Sequence, residues 1–212
     1  MKETGILFTP ENHRAILAGT KTQTRRVITP QPEWDAEVKH TNITGPFAWP
    51  IGGLGQQCGH PIFIDGRKDG FAGIRNPYGG VGDKLYVKEG VIVQAKGWSA
   101  FTGREDGSLI GYYMNGRRLE NDWEKRLTAM FMAKRYARTW LEITDVRVEQ
   151  VQGISEEDAK SEGPSLDGGP WIHGGKHETY RAAFFELWDS INRKKHPFSQ
   201  NPWVWVLEFK QI

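Results

Sequence analysis

The residue types best suited to chemistry lie together near the amino terminus, within residues 19–26. The hydroxyl of Thr24 follows the amine of Lys21 by three positions, and on a strand Thr24 would share a face with Arg26 because side chains alternate. A threonine hydroxyl can act as a nucleophile if a lysine held neutral by burial removes its proton and a further group, typically a carboxylate, orients that lysine. The residue types alone favour a plainer interpretation, in which the basic side chains are solvated at the start of a strand.

A helix and a strand are expected to position this cluster. Residues 11–18 predict the helix, with Thr9 as its N-cap, Pro10 in its first turn and Gly19 in the left-handed conformation that ends many helices. The β-branched side chains of residues 21–27 then predict a strand.

Strand patterns dominate the rest of the chain. Further strands are predicted over residues 6–8, 62–64, 84–89 continuing through 91–93, 110–114, 140–151 and 202–209. Within 140–151 the alternation changes phase near Asp145, which predicts a β-bulge or a bend. Many strands and few helices predict an α+β, β-rich fold: a small β-barrel with a few flanking helices and long loop insertions.

Two more helices are expected in the second half of the chain. Ser155 is the predicted N-cap of a short helix, and Asp158 is the predicted acid of its capping box. Residues 177–192 predict a longer amphipathic helix. Its predicted apolar side consists of Tyr180, Phe184, Leu187, Trp188 and Ile191.

Composition narrows the class of protein. The 212 residues include 28 basic and 26 acidic side chains, a formal charge of +2, so any affinity for nucleic acid has to come from a local patch. The single cysteine, Cys58, cannot form an internal disulfide, and no apolar run approaches the ~20 residues of a membrane span. These features predict a soluble, cytoplasmic protein with no membrane partner.

Basic residues interleaved with aromatic ones suggest contact with nucleic acid. Cations that bind phosphates and rings that stack on bases hold single strands in many proteins. The residues in question include Tyr112, Phe131, Lys134, Arg135, Tyr136, Arg138 and Trp140. The plainer alternative is that most of these rings belong to the core and most of these cations are solvated.

No metal site and no cofactor are predicted. His173 and His177 lie four residues apart, but two glycines intervene and no third ligand has a suitable spacing. Because zinc sites use three or four protein ligands, this pair is insufficient.

Several stretches resemble the ASCH domain family, in the order in which that family has them. Residues 16–26, ILAGTKTQTRR, resemble its opening motif, and residues 82–89, GDKLYVKE, resemble a strand entered by a Gly-Asp turn. Further similar stretches lie at 141–148, 154–163, 185–192 and 201–209. The longer layout resembles ASCH proteins of bacteriophages and prophages, which would place this protein in the host cytoplasm.

The resemblance implies a fold and a domain organisation. ASCH domains have a PUA-like β-barrel, so residues 1–212 are expected to form a single domain of this kind. Insertions are then expected at about 29–80, 98–126 and 163–176.

The resemblance also implies a function. ASCH proteins are expected to bind RNA or modified nucleosides, and some members are amidohydrolases that remove the acetyl group of N4-acetylcytidine. The catalytic residues implied here are Lys21, Thr24 and Glu162, and the implied substrate-binding residues are Arg26, Arg25 and Gly19. A non-catalytic RNA-binding module and a ribonuclease are the alternatives.

Overall fold

The computed structural model describes residues 1–31, 63–65, 72–74, 76–94, 109–112, 119, 124–167 and 176–212, with the backbone alone at 63–65, 72–74, 94 and 110. Strands dominate over three helices in these residues, so the fold is mixed α+β, as predicted. No helix among them has the length and apolar character needed to cross a membrane.

The described residues form three α-helices and ten strands, besides four short 3-10 helices. The helices are α1 (Pro10–Leu17), α2 (Glu156–Ser161) and α3 (Tyr180–Asn192). The strands are β1 (Glu3–Leu7), β2 (Gln23–Val27), β3 (Phe63–Asp65), β4 (Ala72–Ile74), β5 (Lys84–Lys88), β6 (Val91–Gln94), β7 (Leu109–Tyr112), β8 (Glu124–Leu127), β9 (Trp140–Gln150) and β10 (Trp203–Gln211).

The central sheet has five strands in the order β1-β5-β9-β10-β2. β1 is parallel to β5, and the other three pairings are antiparallel. β6 pairs with β7 and β8 in a separate three-stranded sheet, and β3 pairs with β4. The continuous strand expected from 84 to 93 is therefore wrong, because it divides into β5 and β6, which belong to different sheets.

The closed barrel is not formed by the described strands. β1 and β2 are the two edges of the central sheet, and the described residues show no ladder between them. A side chain bridges these edges instead, since Nη2 of Arg26 donates to the carbonyl oxygen of Leu7 at 2.5 Å.

Each face of the central sheet covers a separate apolar core. The core on the α1 side contains Ile6, Ile16, Leu85, Val87, Leu141, Ile143, Leu207 and Phe209. The core on the side of α2 and α3 contains Val151, Ile154, Ala159, Phe184, Trp188, Val204 and Val206. Because residues paired directly across strands share a face, Thr24 lies on the α1 side with Leu207, and Arg25 lies on the α2 side with Val206.

The predicted ends of α1 are confirmed. Thr9 accepts a hydrogen bond from the Asn12 amide at 3.3 Å, Pro10 begins the helix, and Gly19 has a φ of 73°. The left-handed turn at Gly19 ends the helix and leads the chain directly to Lys21.

The predicted bulge in β9 is also confirmed. The register shifts between Glu208 and Phe209 of β10. These two consecutive residues pair with Asp145 and Ile143, so Thr144 is the extra residue of β9.

Two details of the later helices differ from expectation. Ser155 caps α2 by accepting from the Asp158 amide at 3.1 Å, but the Asp158 carboxylate binds Gln23, Arg25 and Arg147, as described below. Ile191 is 57% exposed, so its predicted place on the buried side of α3 is wrong.

Most of the insertions expected at 29–80, 98–126 and 163–176 lie outside the described residues.

Candidate active site

The structure places Lys21 beside Glu162, although 141 residues separate them in the chain. The Lys21 amide donates to the Ala15 carbonyl at 3.1 Å, and the Thr22 amide donates to the Ser161 carbonyl at 3.0 Å. These backbone bonds join the turn after α1 to the end of α2, where Glu162 is the C-cap. Both side chains are buried, since each residue is only 3% exposed.

Glu162 accepts two hydrogen bonds from the Lys21 amine. Nζ donates to the carbonyl oxygen of Glu162 at 2.7 Å and to its Oε2 at 2.8 Å. Burial lowers the pKa of Lys21 and outweighs the charge of Glu162, which raises it. A neutral amine has two N–H groups and one lone pair, so an uncharged Lys21 would satisfy both bonds and still accept a proton.

Arg25 holds the other side of the Glu162 carboxylate. Its Nη1 donates to Oε1 of Glu162 at 3.2 Å, while Nη2 donates to Glu149 at 2.9 Å and to Asp158 at 3.1 Å. The Arg25 side chain is fully buried and lies on the sheet face opposite Thr24. These contacts are those of a residue that positions Glu162.

Thr24 lies at the start of β2 and is buried. Its hydroxyl forms no hydrogen bond with Lys21 or with another side chain among the described residues. Catalytic hydrogen bonds are often long before substrate binds, and a hydroxyl is the type of nucleophile that a neutral lysine amine can activate.

Arg26 and Phe8 lie in the same cluster as Lys21. The Phe8 ring lies 5.0 Å from Cζ of Arg26 and 5.9 Å from Nζ of Lys21. The Nε of Arg26 is buried and has no acceptor among the described residues. Buried unpaired donors are rare in native structures, and some of them have a functional role.

A cleft of about 260 Å³ opens beside this cluster. Its lining includes Gly19, Lys21 and Thr22 from the turn after α1, and Phe209 and Lys210 from β10. Thr24 and Glu162 are not among its lining residues. The structure therefore brings the predicted residues Gly19 and Lys21 to one cleft and places Glu162 behind the lysine.

Sequence analysis missed two further buried polar residues, His13 and Glu89. Nδ1 of His13 lies 3.5 Å from Oε2 of Glu89. His13 precedes the buried Ile16 by three positions, and this helical spacing was a signal that it faces inward. No comparable local signal identified Glu89.

Three of the aromatic rings considered for nucleic-acid contact lie under cations of the chain itself. Arg138 lies 4.0 Å from the Tyr112 ring, Arg135 lies 4.7 Å from the Tyr136 ring, and Lys134 lies 5.7 Å from the Trp140 ring. Phe131 differs, because it is 69% exposed.

Comparison with known proteins gives no match to a family model, a curated protein or a solved structure. Within the described part of the chain, no three His, Cys, Asp or Glu side chains form a group able to hold a metal ion; His173 lies outside it.

A glycine beside Lys21 allows a test of this geometry. Gly163 has a φ of 84°, and a Cβ added there would lie 3.0 Å from Cβ of Lys21. The left-handed conformation alone costs an alanine about 1–2 kcal/mol. We expect Gly163→Ala to lower the free energy of unfolding, measured by urea denaturation, by more than that, because the added methyl group would displace Lys21.

Gly82 supplies the matched control. It has the same φ of 84°, and an added Cβ would meet nothing within 4 Å. Gly82→Ala should therefore show the backbone effect alone, and equal losses in the two variants would contradict close packing of Gly163 against Lys21.

Proposed function

We propose that this protein is an ASCH-type, PUA-like domain that binds RNA or a modified nucleoside and removes an acyl group from an N4-acetylcytidine-like substrate. The observation that carries the proposal is the buried Lys21–Glu162 pair, in which burial lowers the pKa of the lysine. A lysine in this setting is suited to accept a proton, whereas a solvated lysine is charged at neutral pH.

The proposed reaction begins with attack on the amide. Oγ1 of Thr24 forms a bond to the acyl carbon while its proton moves to Nζ of Lys21. The C–N bond then breaks, and Lys21 returns the proton to the departing N4 amino group, leaving an acyl ester on Thr24. Water hydrolyses that ester by the same transfer, releasing the carboxylic acid and the free hydroxyl. Glu162 orients the amine, and Arg26 supplies positive charge towards the oxyanion.

We also propose that residues 1–212 form a single domain with a PUA-like barrel. The contact of Arg26 with the Leu7 carbonyl supports it, because this contact joins the two edge strands that a closed barrel would bring together. A cytoplasmic location is supported by the single cysteine.

Turnover of free N4-acetylcytidine tests the proposed function. At completion the protein should have released cytidine and acetate in equal amounts. If the acyl-threonine accumulates, cytidine should appear first in a burst that acetate does not show. Chromatography measures both phases, and Thr24→Ser should retain measurable turnover because the hydroxyl is kept.

Two other outcomes would replace the proposal. Salt-dependent RNA binding without release of cytidine would indicate a non-catalytic binding module. Fragmentation of RNA that contains no acetyl group would indicate a ribonuclease.

A further inference from the structure

A second cavity, of about 320 Å³, lies next to Phe8. It is lined by Phe8, Pro10, His13, Arg14, Lys88, Glu89, Gly90 and Ala129. Its volume reaches the lower end of the roughly 300–1,000 Å³ range of small-molecule sites. Because Phe8 also contacts Lys21 and Arg26, this cavity and the Lys21 cluster share one ring.

The buried end of the cavity carries groups that can read a base edge. Arg138 binds Glu89 through two hydrogen bonds, of 2.9 Å from Nε and 2.7 Å from Nη2. A carboxylate has about four lone-pair positions, so Glu89 can still accept a hydrogen bond from an amino group. The exocyclic amino group of cytosine is a typical donor to glutamate.

His13 lies beside this carboxylate in a defined orientation. Its Nε2 is 2.9 Å from Oγ1 of Thr139, and its Nδ1 faces Glu89. Burial lowers the pKa of His13, and the charge of Arg138 acts in the same direction, although Glu89 opposes both. A neutral ring in this position adds a polar group without adding charge.

Two cationic side chains belong to the lining of the cavity. Arg14 and Lys88 line it, and the charge of Glu89 within is balanced by Arg138. Nζ of Lys88 donates to the Met130 carbonyl at 2.5 Å. Nη1 of Arg14 lies 3.7 Å from Oε1 of Glu11, and the Arg14 side chain is 63% exposed. A surface ion pair of this kind binds its cation only weakly, so the guanidinium can also contact a phosphate.

An exposed ring lies two residues along the chain from the cavity lining. Phe131 ends the 3-10 turn that begins at the lining residue Ala129, and it is 69% exposed. Unlike Tyr112, Tyr136 and Trp140, it does not lie under a cation of the described chain. An exposed ring next to cations is the arrangement on which bases of a single strand stack.

We propose that this cavity binds one nucleotide of a single-stranded RNA, with its base edge towards Glu89 and His13 and its phosphate at Arg14. The inference rests on the proposed function and extends it: the bound nucleotide is the neighbour of the acylated cytidine, and the substrate is a residue within an RNA strand.

Binding of a short, unmodified, cytidine-rich oligoribonucleotide tests this site by fluorescence anisotropy over roughly 50–200 mM salt. Arg14→Ala removes one phosphate contact and should reduce the slope of log affinity against log salt by about 0.7. Phe131→Ala removes a stacking ring and should weaken binding by about tenfold. Lys194→Ala removes an equal charge from an exposed position outside the cavity, and it should change neither quantity.

The inference is overturned if Arg14→Ala and Lys194→Ala have the same slope, or if cytidine monophosphate binds as tightly as the oligonucleotide. Turnover of free N4-acetylcytidine by the unaltered protein is measured separately. Turnover without the Arg14 effect leaves the proposed function standing and removes the RNA site. The Arg14 effect without turnover leaves a binding site for single-stranded RNA but removes the proposed hydrolysis, and with it the place of the bound nucleotide beside an acylated cytidine.

Discussion

Replacing Lys21 by methionine is expected to lower kcat/KM for N4-acetylcytidine by a factor of about 10² to 10⁴, the usual contribution of a positioned acid–base group. Methionine keeps an unbranched chain in the buried space but has no group that can take the proton of Thr24. The amine of Lys21 is the group held by Glu162, so its loss removes the base and one of the two side chains that donate to that carboxylate, the other being Arg25.

Lys160→Met is the matched control. Lys160 is exposed on α2, the helix that Glu162 ends, and it lies 5.9 Å from the Tyr180 ring. The same substitution there should leave turnover unchanged. Turnover of Lys21→Met at the level of this control would exclude Lys21 as the base.

The pH dependence of turnover gives an independent measurement if Lys21→Met folds poorly. Because the neutral amine is the base, kcat/KM should rise with pH through a pKa of Lys21 that lies below its ordinary value of about 10.4. Glu162 raises that pKa, so Glu162→Gln should move the rising limb to lower pH. If the rising limb of the pH profile keeps its position or moves to higher pH, Lys21 is not the base.

Local sequence patterns predicted the structural features that depend on residues close together in the chain. The caps of α1 follow from Thr9, Pro10 and Gly19, and the bulge of β9 follows from the change of alternation near Asp145. The phase of alternation cannot say which sheet a strand joins. For this reason the pattern of residues 84–93 predicts one strand, although β5 pairs with β9 and β6 pairs with β7 and β8.

The candidate site depends on contacts that no local pattern contains. Only the resemblance to the ASCH family pairs Lys21 with Glu162, since 141 residues separate them. Alternation places Thr24 and Arg26 on one face and Arg25 on the other, which the strand pairing bears out. It could not show that Arg25 faces three carboxylates from β9 and α2, because those arrive from distant parts of the chain.

Replacing Arg25 by methionine is expected to lower the free energy of unfolding by about 3–5 kcal/mol, the usual effect of removing one partner from a buried ion pair. The guanidinium is fully buried and binds Glu149, Asp158 and Glu162. Without it, these acids repel one another, and Glu162 keeps its hydrogen bond from Lys21 but loses the cation on its other side. Urea denaturation at neutral pH measures the loss.

Arg147→Met provides the comparison, because Arg147 binds the same Glu149 and Asp158 from a partly exposed position. Water can solvate the acids on that side, so the loss should be clearly smaller than for Arg25→Met. A loss for Arg25→Met no greater than for Arg147→Met would show that the network around Glu162 does not depend on the buried guanidinium.

Lowering the pH should reduce the difference in the free energy of unfolding between the unaltered protein and Arg25→Met. Burial alone would raise the pKa of Asp158, but the hydrogen bond from Gln23 and the charges of Arg25 and Arg147 together lower it. A carboxyl group with a lowered pKa in the folded state stabilises the fold above its ordinary pKa of about 3.9, and this contribution disappears as pH falls through the folded value. The Arg25→Met variant lacks part of that contribution at neutral pH and therefore has less to lose in acid. If the free energies of unfolding of the two proteins differ by the same amount at neutral and acidic pH, Arg25 stabilises the fold by packing rather than by its charge.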